Sequence, residues 1–254
     1  MKKTLLALTL MAVSAQASAI STGDMAFTSF NADEDSWALV TFVDIAASTN
    51  IYFSDNEWNG SSFNDANEHA LVWNTGASLI SAGSVVVFTE IDSTVDTLTA
   101  SVGTLGLAAG GGSNLGLAKS DETFYAFLGS SATAPTTFLT AITTQNDTSP
   151  ANLTLAGLTA GVNATALVPD ADFGEYTGAR SGEVTFANYR PLVTDVGNWN
   201  DVATGEFTGT TLNNTVFTVA VPEADTYAMM LAGLGLIGAM AARRRNETAG
   251  RAQK

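Results

Sequence analysis

Ser36-Trp37-Ala38-Leu39-Val40-Thr41-Phe42-Val43-Asp44-Ile45 is the stretch on which the fold turns. Trp37, Leu39, Thr41 and Val43 alternate with Ala38, Val40 and Phe42, and both sets are largely apolar. Successive side chains of a strand point to opposite faces, so this pattern predicts a strand covered on both sides. Moving outward, Asn50–Phe53, Ser84–Thr89, Thr123–Leu128, Glu183–Ala187 and Thr215–Val221 repeat the theme. They are rich in Val, Ile, Phe, Tyr and Thr and are divided by Gly, Asn, Asp and Ser turns. The expected fold class is all-β: an antiparallel β-sandwich, with a small helix near Phe63–Glu68 or Thr136–Thr144. No tandem repeat stands out, which argues against propellers and solenoids.

The strand-rich body spans 20–220, enough for one sizeable domain. It contains no cysteine, so thiol nucleophiles, Fe–S clusters and cysteine zinc sites are excluded and the core must hold without disulfides. The formal net charge of the chain is −15, and the body has only Lys119, Arg180 and Arg190 as basic residues. A surface this acidic repels polyanions, so no nucleic-acid partner is expected.

Both ends read as targeting segments. In 1–19, Lys2 and Lys3 precede the short apolar run Leu5–Val13, and Ala17-Ser18-Ala19 places small residues at −3 and −1 of a signal-peptidase site. Signal cleavage at Ala17 and Ala19, before Ile20, is expected. Toward the other end, Ala228–Ala242 carries no charged side chain and precedes Arg243, Arg244 and Arg245. Fifteen helical residues span about 22 Å against a hydrocarbon core of ~30 Å. Reach from Tyr227 and the arginines would extend that length, predicting a transmembrane helix at about 227–242 and a short cytoplasmic tail, 247–254. The arginines serve as the topology anchor, because positive charge stays on the cytoplasmic side. The body would then face the periplasm or the exterior.

Residues 221–246 resemble the bacterial PEP-CTERM sorting signal: a short Pro-Glu motif, an apolar helix and a basic cluster. Val221, Pro222, Glu223 and Thr226 carry the motif, with Ala224 standing where the family has a second proline. That resemblance implies export in a Gram-negative envelope and recognition by an exosortase, a membrane protease-transpeptidase. It also implies association with exopolysaccharide or biofilm matrix. The body is similar to secreted bacterial proteins with a lamin-tail-like, immunoglobulin-type β-sandwich. Gly23–Asp33, Trp37–Asp44, Ile51–Trp58 and Asp121–Leu128 carry the likeness. It implies a scaffold for adhesion or surface display, and supplies no catalytic residue.

Candidate sites in the body are sparse. Asn31, Asp33 and Asp35 have one-three-five ligand spacing, as do Asp55, Glu57 and Asn59. Neither is an EF-hand, since Phe42 and Ala66 occupy the twelfth positions. Asp33, Asp35, Asp55 and Glu57 remain candidate ligands of an irregular Ca²⁺ site between loops; solvated turns are the competing reading. Trp58 and Trp73, beside Asp55 and Glu57, are candidate glycan contacts, with core packing as the alternative. His69 is the sole histidine; with no Gly-x-Ser-x-Gly elbow it reads as a surface or satisfied strand residue. Gly110-Gly111-Gly112 with Lys119-Ser120 misses the phosphate-loop spacing, because Ala118 precedes the lysine.

Together these readings predict a non-enzymatic exported protein of the cell surface or extracellular matrix. Its expected partners are signal peptidase, an exosortase-type enzyme, the membrane through the C-terminal helix, and exopolysaccharide. The alternatives are a carbohydrate-binding module that uses Ca²⁺ and, third, an extracellular hydrolase.

Overall fold

The computed structural model describes residues 19–64, 68–89, 98–112, 116–145, 151–220 and 224–251. The chain divides into two compact units, Met1–Thr218 and Val219–Lys254.

The first unit is built on two six-stranded sheets. One contains β1 (Met25–Asn31), β2 (Ser36–Thr41), β5 (Val85–Thr89), β6 (Thr99–Ala100), β11 (Phe173–Tyr176) and β13 (Trp199–Val202), in the order β13-β11-β1-β2-β5-β6. The other contains β3 (Asn50–Ser54), β4 (Ala70–Asn74), β7 (Thr104–Leu107), β8 (Thr123–Ser131), β9 (Ala134–Thr143) and β10 (Thr165–Ala166), in the order β10-β9-β8-β3-β4-β7. A two-stranded sheet joins β12 (Ser181–Glu183) to β14 (Thr218–Val219). Helical segments are α1 (Ala151–Leu155), α2 (Arg190–Val193) and α3 (Ala224–Arg251), the last forming most of the second unit.

The quoted stretch lies at the centre. Every residue of β2 is buried, and β2 pairs antiparallel with β1 and with β5, placing Trp37 opposite Phe88. Trp37 stacks on Phe88 at 5.0 Å and meets Phe53 and Phe124 edge-on at 5.3 and 4.8 Å, so side chains of both large sheets enter one core. Burying roughly 200 Å² of one tryptophan at about 25 cal/mol per Å² is worth about 5 kcal/mol. The period of two is plain in β8. Phe124 and Ala126 enter that core, while Tyr125 and Phe127 enter a second cluster with Trp58, Phe138, Leu153 and Leu158. Leu153 comes from α1, so a helix and loops, rather than solvent, cover this outer face.

The fold-class expectation is therefore corrected. The chain is a mixed α/β domain with several sheets, none closed into a barrel or a sandwich, and the immunoglobulin- or lamin-tail-like arrangement falls with it. Helical segments intervene between strands, and β10 joins β9 in parallel, a pairing no antiparallel meander supplies. Of Thr136–Thr144, a candidate helix, residues 136–143 are strand, because Phe138, Leu139, Ala141 and Ile142 divide between the two apolar clusters. Glu183–Ala187 is not one strand: β12 ends at Glu183 and a 3-10 turn runs through Phe186–Tyr189. Within Phe63–Glu68, residues 65–67 lie outside the described residues.

The transmembrane expectation is corrected as well. Among the described residues, no helix is long and apolar enough to cross a membrane. α3 runs through 28 residues, but its uncharged part is only the fifteen of Ala228–Ala242, about 22 Å. Asp225, Arg243, Arg244, Arg245 and Glu247 belong to the same helix, so the arginines continue it rather than follow it. The membrane and transmembrane-helix assignments, and the membrane as a partner through this helix, are withdrawn.

Candidate functional site

One polar feature gathers loops around β3, β4 and β7 with the tip of the β8–β9 hairpin. It is a pocket of about 260 Å³ lined by groups including Asn56, Ser62, Phe63, Asn64, Glu68 and His69. β3 pairs with β4 in the register Ser54↔Ala70, which carries Asp55 and His69 together one step beyond the last paired residues. Ala108 N donates to Ala70 O and Gly112 N to Glu68 O, bringing the glycine segment after β7 alongside. Three register shifts interrupt the β8–β9 pairing; such bulges bend a strand pair, and the hairpin tip at Ala132 and Thr133 completes the wall.

One wall is organised by Asn59. Its side-chain Oδ1 accepts from Ser61 N and Ser62 N at 2.9 Å, and its Nδ2 donates to Ser62 Oγ and Asn64 Oδ1 at 3.1 and 2.6 Å. Gly60 follows with φ +96°, a left-handed conformation that glycine adopts without cost. Trp58 and Phe63 bridge the two ends of this loop, their rings 5.2 Å apart.

Behind the pocket lies a buried titratable cluster. His69 Nδ1 stands 3.3 Å from Asp55 Oδ2, with both side chains essentially inaccessible. Glu122 is buried nearby and accepts from Thr123 N at Oε1 and Ala118 N at Oε2. Burial, and then the negative charge of Asp55, push the Glu122 carboxyl up to about 9, outweighing the two backbone donors. It is therefore protonated at neutral pH. Burial also raises the Tyr125 phenol. Ser54 Oγ donates to the His69 backbone carbonyl at 3.2 Å, a structural bond rather than a nucleophile-to-imidazole contact.

The predicted site residues scatter. Asp33 Oδ2 accepts from Phe207 N at 2.7 Å, and Asp35 Oδ1 accepts from Leu117 N. Asp55 faces His69, and Glu57 is exposed. Among the described residues no three His, Asp or Glu side chains are gathered to hold a metal ion. Trp73 is fully buried, with Nε1 donating to Val102 O at 2.8 Å, and Trp58 is buried, with Nε1 donating to Leu155 O. Neither tryptophan presents a ring face to solvent. Ala19 is exposed; Ala17 and the motif residues Val221, Pro222 and Glu223 lie outside the described residues, while Thr226 falls in the first turn of α3. Sequence reasoning missed the pairing of Asp55 with His69 and the role of Glu122. The hairpin register would have revealed the first.

Comparison with known proteins adds one finding at the C-terminus and none in the body. No curated protein and no solved structure matches the chain. Residues 220–245 match the PEP-CTERM protein-sorting motif, so this chain carries a C-terminal sorting signal of that type, consistent with export and surface attachment.

Proposed function

We propose that this is a non-enzymatic protein of the cell surface or extracellular matrix, exported across the inner membrane and delivered through its C-terminal signal. The match of residues 220–245 to a protein-sorting motif carries this reading. Signal peptidase removes the leader before Ile20, and an exosortase-type enzyme recognises the Val221-Pro222-Glu223 motif and processes the tail. The acidic body, with three basic residues between 20 and 220, suits a hydrated extracellular setting in which like charges keep copies apart.

Intact mass measurement of the protein recovered from membrane, periplasm and medium of its own host tests this. The expected species begins at Ile20 and ends near Glu223–Thr226. A mass retaining Arg243–Lys254 in every fraction would overturn the sorting role.

A further inference from the structure

We propose that Asn59 is a self-modifying site, at which the side-chain amide is lost to attack by the Gly60 backbone nitrogen and a carboxylate takes its place. This rests on the body alone and holds however the tail is processed. Asn59-Gly60 is the only Asn-Gly pair in the chain; every other asparagine precedes a residue whose side chain crowds the attacking nitrogen. Asn59, Gly60 and Ser61 are all exposed, so water reaches the amide. The Gly60 N–H donates to no acceptor among the described residues, which leaves that nitrogen uncommitted. The fold also prepares the amide carbon. Asn59 Oδ1 accepts from Ser61 N, Ser61 Oγ and Ser62 N, each at 2.9 Å. Reaching the residues beyond Gly60 folds the side chain forward over the Gly60 peptide, the side from which a succinimide ring closes. The same three donors stand where negative charge gathers on Oδ1 during closure, and so lower that barrier.

The reaction needs only water. Gly60 N bonds to Asn59 Cγ and gives up its proton; the Cγ–Nδ2 bond breaks, and ammonia leaves carrying that proton. Water then opens the succinimide at either carbonyl, giving aspartate or, with the main chain routed through Cβ, isoaspartate. The consequence is local. Nδ2 of Asn59 donates to Ser62 Oγ and Asn64 Oδ1 at 3.1 and 2.6 Å. After conversion an oxygen stands against Asn64 Oδ1, and a donor–acceptor contact becomes a repulsion between acceptors. The isoaspartyl form also lengthens the main chain inside the turn that Asn59 N closes on Ser62 O and that the Trp58–Phe63 bridge spans. Ser62, Phe63 and Asn64 line the pocket, so its rim gains negative charge and loosens.

Peptide mapping by mass spectrometry provides the test. The full protein purified from its host is aged in buffer made with water of a heavy oxygen isotope, beside a sample kept unfolded in urea. In the folded sample the Asn59 peptide should pass through a species lacking the mass of ammonia and end as aspartate and isoaspartate carrying the heavy oxygen. Asn59 should convert about tenfold faster than any other asparagine, and no more slowly in the folded than in the unfolded protein. Gly60→Ala should slow conversion about tenfold; if the φ of +96° at that position keeps the variant from folding, the natural protein's folded and unfolded rates decide alone. The converted fraction, separated by its added charge, should be cut faster by protease within residues 58–64, and equal rates would refute the loosened rim. The proposal is overturned if Asn59 stays intact in the folded protein while converting in urea, if another asparagine converts first, or if folded Gly60→Ala converts as fast as the natural protein.

Discussion

Replacing Glu122 by Gln should stabilise this protein at neutral pH, and the gain should grow as pH rises. Glu122 is buried, and its carboxyl is raised from 4.5 to about 9 by desolvation first and by the charge of Asp55 second, with Glu68 adding to it. The backbone N–H groups of Ala118 and Thr123 act in the opposite direction and are outweighed. Below pH 4.5 folded and unfolded chains both hold the proton, and the stability associated with it is fully present. Above that, the unfolded chain releases the proton and the folded chain keeps it, so stability falls by about 1.4 kcal/mol per pH unit until about 9. At pH 7 the accumulated loss is about 3 kcal/mol. Glutamine does not titrate and escapes this loss. Its amide nitrogen, however, faces one of the two N–H donors, forfeiting a hydrogen bond worth about 1 kcal/mol. Glu122→Gln should therefore be near neutral at pH 5 and about 2 kcal/mol more stable at pH 7. With m near 2–3 kcal/mol/M, the urea midpoint at pH 7 should rise by about 1 M. Urea denaturation of both proteins from pH 5 to 8 measures the gap, and taking the difference cancels the other carboxylates. A gap that does not change with pH would refute the reasoning, since Glu122 would then be ionised in the folded protein.

Two further substitutions probe the site and its scaffold. His69→Ala should cost about 3–5 kcal/mol by leaving the Asp55 carboxylate buried without its imidazole, whereas joint replacement of Asp55 and His69 by Leu should cost much less. Additive losses in urea denaturation would show that the pair is not coupled. Gly103→Ala should destabilise by about 3 kcal/mol or more, because Gly103 has φ +78° and an added Cβ would lie 2.2 Å from Asn74 O and 2.8 Å from Trp73 Nε1. An unchanged melting temperature would contradict that crowding.

Local chemistry made part of this protein legible before any coordinates. β2 lies where alternation of apolar side chains places it, and β3, β5 and β8 lie in runs rich in Val, Ile, Phe, Tyr and Thr, because both signals are written in consecutive residues. The sorting motif was equally readable, being a contiguous string of residue types. Tertiary structure alone decided the rest. Whether Thr136–Thr144 forms helix or strand depends on β8 lying alongside, and the parallel union of β9 with β10 joins segments separated by α1. Burial of Trp58 and Trp73 depends on partners such as Leu155 and Val102, distant in the chain, so residue type alone left both packing and glycan contact open. Asp55 and His69 read as a turn acid and a lone histidine until the Ser54↔Ala70 register set them 3.3 Å apart. Glu122 acquired its proton in the same way. Periodicity and motifs belong to neighbouring residues, whereas desolvation and ion pairing depend on which distant segments close around a group, and that is settled only when the chain folds.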